Sequence, residues 1–171
     1  ALVLALGVYV VLRSLRYFLD PNSHPTWRQL TRYGSDVPVT LNAITRDLKA
    51  HGRTLGTVSL GAQWFVRPGL KYSVMRLEDV VWLYKNVITQ KKYGITINTI
   101  YSAMFFDKYG TEINVTASET VVNELLISVH ERAPWAATTM TTELQRTWKR
   151  ERQYFLDSIE ARRRSWTTDN S

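Results

Sequence analysis

The spacing of apolar and polar positions changes character several times along the chain, and each change marks an element. Residues 1–12 carry no charge, and the run stops at Arg13 and Arg16. Crossing about 30 Å of hydrocarbon takes roughly 20 apolar helical residues. Residues 1–19 are therefore expected to be a truncated transmembrane helix, with both arginines at the headgroups and Tyr17 and Phe18 in the interfacial belt. A buried soluble helix and a signal-peptide core are the competing readings, although no small-residue cleavage site follows Leu12. Basic flanks favour the cytoplasmic side, which puts the rest of the chain at the cell membrane, facing the cytoplasm.

Two short helices are predicted next. Pro25 suits a first helical position, with Trp27 and Leu30 on one face and Gly34 as the stop. Ser35 or Asp36 caps a second helix, in which Val37, Leu41, Ile44 and Leu48 recur at spacings of four, three and four before Gly52 ends it. The period then shortens. Residues 53–59, 62–66, 70–76, 80–89, 95–106 and 111–116 read as six strands, with glycine or proline in most of the breaks. Asp107-Lys108-Tyr109-Gly110 reads as a hairpin turn whose glycine takes a positive φ. Strands that follow one another without helices between them argue for an antiparallel meander rather than a βαβ fold. A helix over 118–132 carries the stripe Val122, Leu125, Leu126, Val129. A final helix is expected over 142–164, with the tail frayed from Trp166.

The fold class expected is α+β, in four parts. Residues 1–19 form the anchor and 20–52 a helical pair. Residues 53–134 form a β domain with its closing helix, and 135–171 a basic amphipathic helix and tail. Of 171 residues, 44% are hydrophobic and 22% charged, ordinary values for a folded domain. Cysteine is absent, which excludes disulfides, thiolate metal sites and cysteine nucleophiles and fits a reducing compartment. The net charge of +7, from 22 basic and 15 acidic residues, suits a domain held near anionic lipid. No aromatic RNA-binding motif or helix-turn-helix signature favours nucleic acid.

Four segments recur together in a known group. They are His24-Pro25 with Arg32-Tyr33-Gly34, residues 77–84 (Leu77-Glu78-Asp79-Val80-Val81-Trp82-Leu83-Tyr84), Phe106-Asp107-Lys108-Tyr109-Gly110, and Arg132-Ala133-Pro134-Trp135. Through them the chain resembles a family of uncharacterised, membrane-anchored proteins of Gram-positive bacteria. The start of the second segment also resembles bacterial pleckstrin-homology-like (PH-like) domains. That resemblance implies a bent antiparallel sandwich or barrel closed by a C-terminal helix, and commonly the binding of lipid, peptide or protein. The membrane-anchored family has no established activity or catalytic residues to carry over.

Candidate chemistry is sparse. His24, His51 and His130 lie in separate elements without metal-ligand spacing. Glu78 and Asp79 are adjacent, so on a strand they point to opposite faces and cannot act as a paired acid and base. The glycines match no nucleotide loop. No catalytic, cofactor or metal residue is therefore assigned. Trp64, Trp82, Trp135 and Trp148 suit either a binding surface or core positions. The final helix gathers Arg150, Arg152, Arg162, Arg163 and Arg164, the residues singled out for contact with anionic lipid or a protein partner. A partner helix or a plain solvated face is the alternative for them. The function expected is a membrane-anchored, non-enzymatic binding or scaffold domain. The alternative is an enzyme whose site is assembled from scattered polar residues. If the anchor is real, deleting residues 1–19 should convert a chain that resists carbonate extraction into a soluble one. Extraction of the whole chain would remove the anchor from this account.

Overall fold

The computed structural model describes residues 25–69, 72–93 and 95–169. The expected membrane span and His24 lie outside them. The described residues form a mixed α+β structure with two antiparallel sheets and five α-helices. No described helix is long and apolar enough to cross a membrane.

Helices α1 (Pro25–Leu30) and α2 (Val37–His51) come first. Asp36 caps α2 by accepting the Val39 N–H at 3.1 Å. Val37, Thr40 and Ile44 bury one face at helical spacing. Near the end of α2, the Asp47 carboxylate accepts the backbone N–H groups of Ala62, Gln63 and Trp64 at 3.1, 3.0 and 3.0 Å. Those three bonds fix α2 against the first sheet.

That sheet runs in the order β1 (Arg53–Leu55), β2 (Val58–Leu60), β3 (Trp64–Arg67), β4 (Ser73–Arg76). Residues 53–59, expected as one strand, are instead parts of two. Gly56 has φ +60°, which reverses the chain so that Leu55 faces Val58. Seven strands rather than six follow among the described residues. A 3₁₀ turn, Leu77–Asp79, leads into the second sheet, β5 (Val80–Lys92), β6 (Ile95–Asp107), β7 (Glu112–Ala117). β5 outruns its expected end at residue 89.

The first sheet is covered on both faces, which explains why β3 and β4 are each buried at three successive positions rather than at alternate ones. In β3, Trp64 and Val66 pack with Leu30, Val37 and Ile44 of α1 and α2, whereas Phe65 turns the other way. Phe65 meets Phe105 of β6 with ring centroids 4.9 Å apart, joining the sheets. The next residue, Phe106, points away and meets Trp148 at 5.7 Å. Helix α3 (Glu119–His130), capped by Ser118, packs on the second sheet through Val122, Leu125 and Val129, all without exposed surface.

The helix expected over 142–164 is two helices, α4 (Thr142–Arg150) and α5 (Arg152–Asp169). Glu151 leaves helical geometry at φ −131°, ψ 45°. The break lets Trp148 and Phe155 both reach Trp82, at 6.1 and 5.9 Å. The tail is helical past Trp166, whose ring lies edge-on to Trp135 at 6.0 Å. Trp64, Trp82 and Trp135 are buried, and Trp148 is half-buried against the same core. All four are core positions, not an exposed aromatic surface.

Leu125 belongs to the stripe read from the sequence and is fully buried. Leu125→Ala should lower unfolding free energy by about 2–5 kcal/mol in urea. Ile127→Ala, on the exposed side of α3, should change it by no more than about 0.5 kcal/mol. Equal effects would show that the stripe is not core.

Candidate functional site

The four segments that carry the family resemblance are far apart in sequence, and the fold brings their described residues together at one end of the second sheet. The centre is Asp107, the last residue of β6, with no exposed surface. Its Oδ1 accepts the N–H groups of Tyr109 and Thr111 at 2.9 and 2.6 Å. Its Oδ2 accepts the Tyr33 hydroxyl at 3.3 Å. The turn that aims these amides requires φ +85° at Gly110, where a side chain would also strike the Arg152 guanidinium. Tyr33 stands edge-on to Trp64 at 5.1 Å, and the Arg76 guanidinium lies over both rings.

Burial pushes Asp107 above the ordinary carboxylate range, against hydrogen bonds from Thr111, Tyr109 and Tyr33 that favour the charged form. Burial, followed by the charges of Asp107 and Asp79, raises the Tyr33 hydroxyl far above its ordinary value.

Beside this centre, Asp79 is 2% exposed. Its Oδ1 pairs with Lys108 Nζ at 2.6 Å, and its Oδ2 has no hydrogen-bond partner among the described residues. Burial alone would lower the Lys108 ammonium, but the hydrogen bond and charge of Asp79 outweigh it and raise it overall. Glu78, next in sequence, is exposed and pairs with Arg76 at 2.7 Å, so the two adjacent carboxylates do separate work.

Asp79 lines a cleft of about 380 Å³ between the 3₁₀ turn, the β6–β7 turn and α5. Val81, Trp135, Leu156 and Ile159 give it apolar walls. Four carboxylates, Glu78, Asp79, Asp157 and Glu160, face two cations, Lys108 and Arg163. A depression of about 440 Å³ lies elsewhere, near Gln29, Arg32 and Thr111. Three of its polar side chains already serve the fold: Gln29 both donates to and accepts from the Val74 backbone, and Arg32 donates to the Thr111 hydroxyl at 3.1 Å.

The five arginines singled out from the sequence do not form one surface. Arg152 donates to the Lys108 carbonyl at 2.8 Å and covers the Trp148 ring at 4.6 Å. Arg162 donates to the Trp135 carbonyl at 3.4 Å, and Arg163 covers the Trp135 ring at 4.6 Å. Arg150 and Arg164 are exposed. Only Arg163 lines the cleft. The sequence reading missed Asp107 and Lys108 as chemistry, because a turn motif explained them locally.

A carboxyl raised on folding adds stability that is fully present below its unfolded value and lost as pH rises through its folded value. Relative to Asp107→Asn, the native chain should therefore lose stability as pH climbs from below 3.8 through the folded value, then level off. Urea midpoints of both proteins across that range measure this. A constant difference would mean that Asp107 does not titrate as its burial requires.

No curated protein and no solved structure matches the chain. Residues 28–148, which include most of the cluster and both sheets, match the family described as Domain of unknown function (DUF6709), and the chain belongs to that family.

Proposed function

We propose that this chain is a non-enzymatic binding module, tethered to the cytoplasmic side of a membrane through residues 1–19, whose cleft under α5 receives a basic side chain presented by a protein partner. One observation carries the reading. Asp79 holds a carboxylate oxygen that is buried and unpartnered at a cleft where carboxylates outnumber cations. A buried acceptor without a donor is costly, and a guanidinium or ammonium supplies the missing donor. The apolar walls suit the methylene stem of such a side chain.

A PH-like build is supported by sheets of four and three strands followed directly by a helix. On this reading residues 53–134 are the PH-like unit, with α1 and α2 on one outer face and α4 and α5 on the other. The rival enzyme needs a titratable group free to exchange a proton with substrate. Asp107, Tyr33 and Lys108 are bound to one another's elements and to backbone instead.

Titrating the protein with N-acetyl-arginine amide, followed by NMR, tests the assignment. Resonances of Lys108, Tyr109, the Trp135 indole and residues 153–163 should move at millimolar ligand. Asp157→Asn with Glu160→Gln, both exposed positions, should weaken binding roughly threefold or more. N-acetyl-aspartate amide should move none of these signals. The reading fails if the acidic probe acts as strongly as the basic one, or if the basic probe leaves the cleft unchanged.

A further inference from the structure

The hairpin formed by β5 and β6 runs well past the body of the protein. Strand β7 pairs with β6 only as far as Tyr101, opposite Ala117. Among the described residues, the other edge of β5 is covered only near its start, where Leu83 N–H bonds the Ala137 carbonyl at 2.8 Å and Ala137 N–H bonds the Val81 carbonyl at 3.0 Å. Beyond the Val87–Tyr101 rung the two strands pair, among the described residues, with each other alone, for about 17 Å at the rise of an extended chain. Among the described residues, no third strand pairs with this part of the arm.

The side chains of the arm are distinctive. Residues 84–101 contain three lysines and not one carboxylate. Lys85, at the base, pairs with Glu119 at 2.5 Å. Lys91 and Lys92, near the tip, are exposed and form no ion pair with a described residue. Val87, Ile88 and Ile97 are exposed, and Tyr93 is 93% exposed. Tyr93 also has φ +52°, a left-handed conformation that glycine or asparagine adopts more cheaply than an aromatic residue. Burial explains neither its ring nor its backbone. Ile97 sits at a bulge, skipped where the register shifts between Gln90 and Lys91, and bulges re-aim side chains.

Val87 and Ile88, being adjacent on a strand, lie on opposite faces. Apolar groups thus surround the arm rather than forming one flat face. A docked protein surface would use one face, whereas end-on entry into a lipid interface uses all sides. One aromatic ring and two lysines at the tip match the amphipathic headgroup region, and the missing carboxylates match its negative charge.

We infer that the tip of the β5–β6 hairpin docks end-on into an anionic membrane surface, with Tyr93 and Ile97 entering the interface and Lys91 and Lys92 meeting lipid phosphates. This site is separate from the cleft under α5, so either can fail without the other.

The chain has no cysteine, so one introduced cysteine carries a unique label. The whole chain, labelled with an environment-sensitive fluorophore at Ile97→Cys, is presented to phosphatidylcholine vesicles with and without phosphatidylglycerol. A control label sits at Val39→Cys, exposed on α2. The apolar N-terminus can bring the chain to either vesicle, so the informative signal is the position-specific one. The expected result is a blue shift at position 97 on anionic vesicles only, none at 39, and reversal by salt. Lys91→Gln with Lys92→Gln should weaken docking roughly thirtyfold, about fivefold per lysine. No shift at 97 on either vesicle overturns the proposal, as does an equal shift on neutral vesicles or one insensitive to the lysine changes. A shift without lipid that grows with protein concentration would show two copies pairing through the open strand edges, and overturns it as well.

Discussion

A carboxylate withdrawn completely from water must be met by hydrogen-bond donors, because an unmet one costs several kcal/mol. Asp107 is that carboxylate, and its donors dictate the end of the molecule where the cleft lies. Two are amides of its own turn, so the turn must curl until Tyr109 and Thr111 point inward, and Gly110 accepts the left-handed backbone that this needs. The third is the hydroxyl of Tyr33, in the connection between α1 and α2. The carboxylate thereby ties the helical pair to the far sheet, across Trp64 and Arg76. With the turn fixed, Lys108 N–H meets the Asp79 carbonyl at 2.9 Å, and its ammonium meets the Asp79 carboxylate. The cleft is a consequence of that chain of constraints.

Much of the fold could be read from periodicity, and the departures have local causes. The cap at Asp36, the stop at Gly52 and the hairpin at Gly110 each rest on interactions within a few residues, the stripe on α3 shows directly in its apolar spacing, and all four fall where the pattern put them. Two of the departures show why. Residues 53–59 are all compatible with one strand, and only pairing of Leu55 with Val58 reveals that Gly56 is a turn. Residues 142–164 have helical spacing throughout, and the break at Glu151 is set by Trp148 and Phe155 converging on Trp82. No window of sequence around residue 151 contains Trp82.

The candidate site was legible only as words without a meeting place. The four segments behind the family resemblance are short turns and strand ends, each with a sufficient local explanation. What joins them is the hydrogen bond of Tyr33 to Asp107 and the ion pair of Asp79 with Lys108, which span 74 and 29 positions. Arginine was misleading for the opposite reason. Clustered cations along a helix read as a surface for a charged partner, but a guanidinium also caps carbonyls and covers aromatic rings within its own fold. Arg152, Arg162 and Arg163 do this at Lys108, Trp148 and Trp135. They hold α5 in place as one wall of the cleft.

The β5–β6 arm shows the converse. An open strand edge invites pairing with other chains, and lysines are among the devices that discourage it. In the body, β7 pairs with one side of β6, and the segment at Ala137 covers the start of the free edge of β5. The arm escapes both. Edge protection accounts for Lys91 and Lys92, but it would be served equally by glutamate or aspartate, and residues 84–101 contain neither. It also gives no reason to expose Val87, Ile88, Ile97 and Tyr93 on the same projection. A composition that is apolar and basic at once satisfies solubility poorly and a negatively charged, partly apolar boundary well. Among the described residues the core does not reach this far, so packing within the fold gives no reason for these side chains.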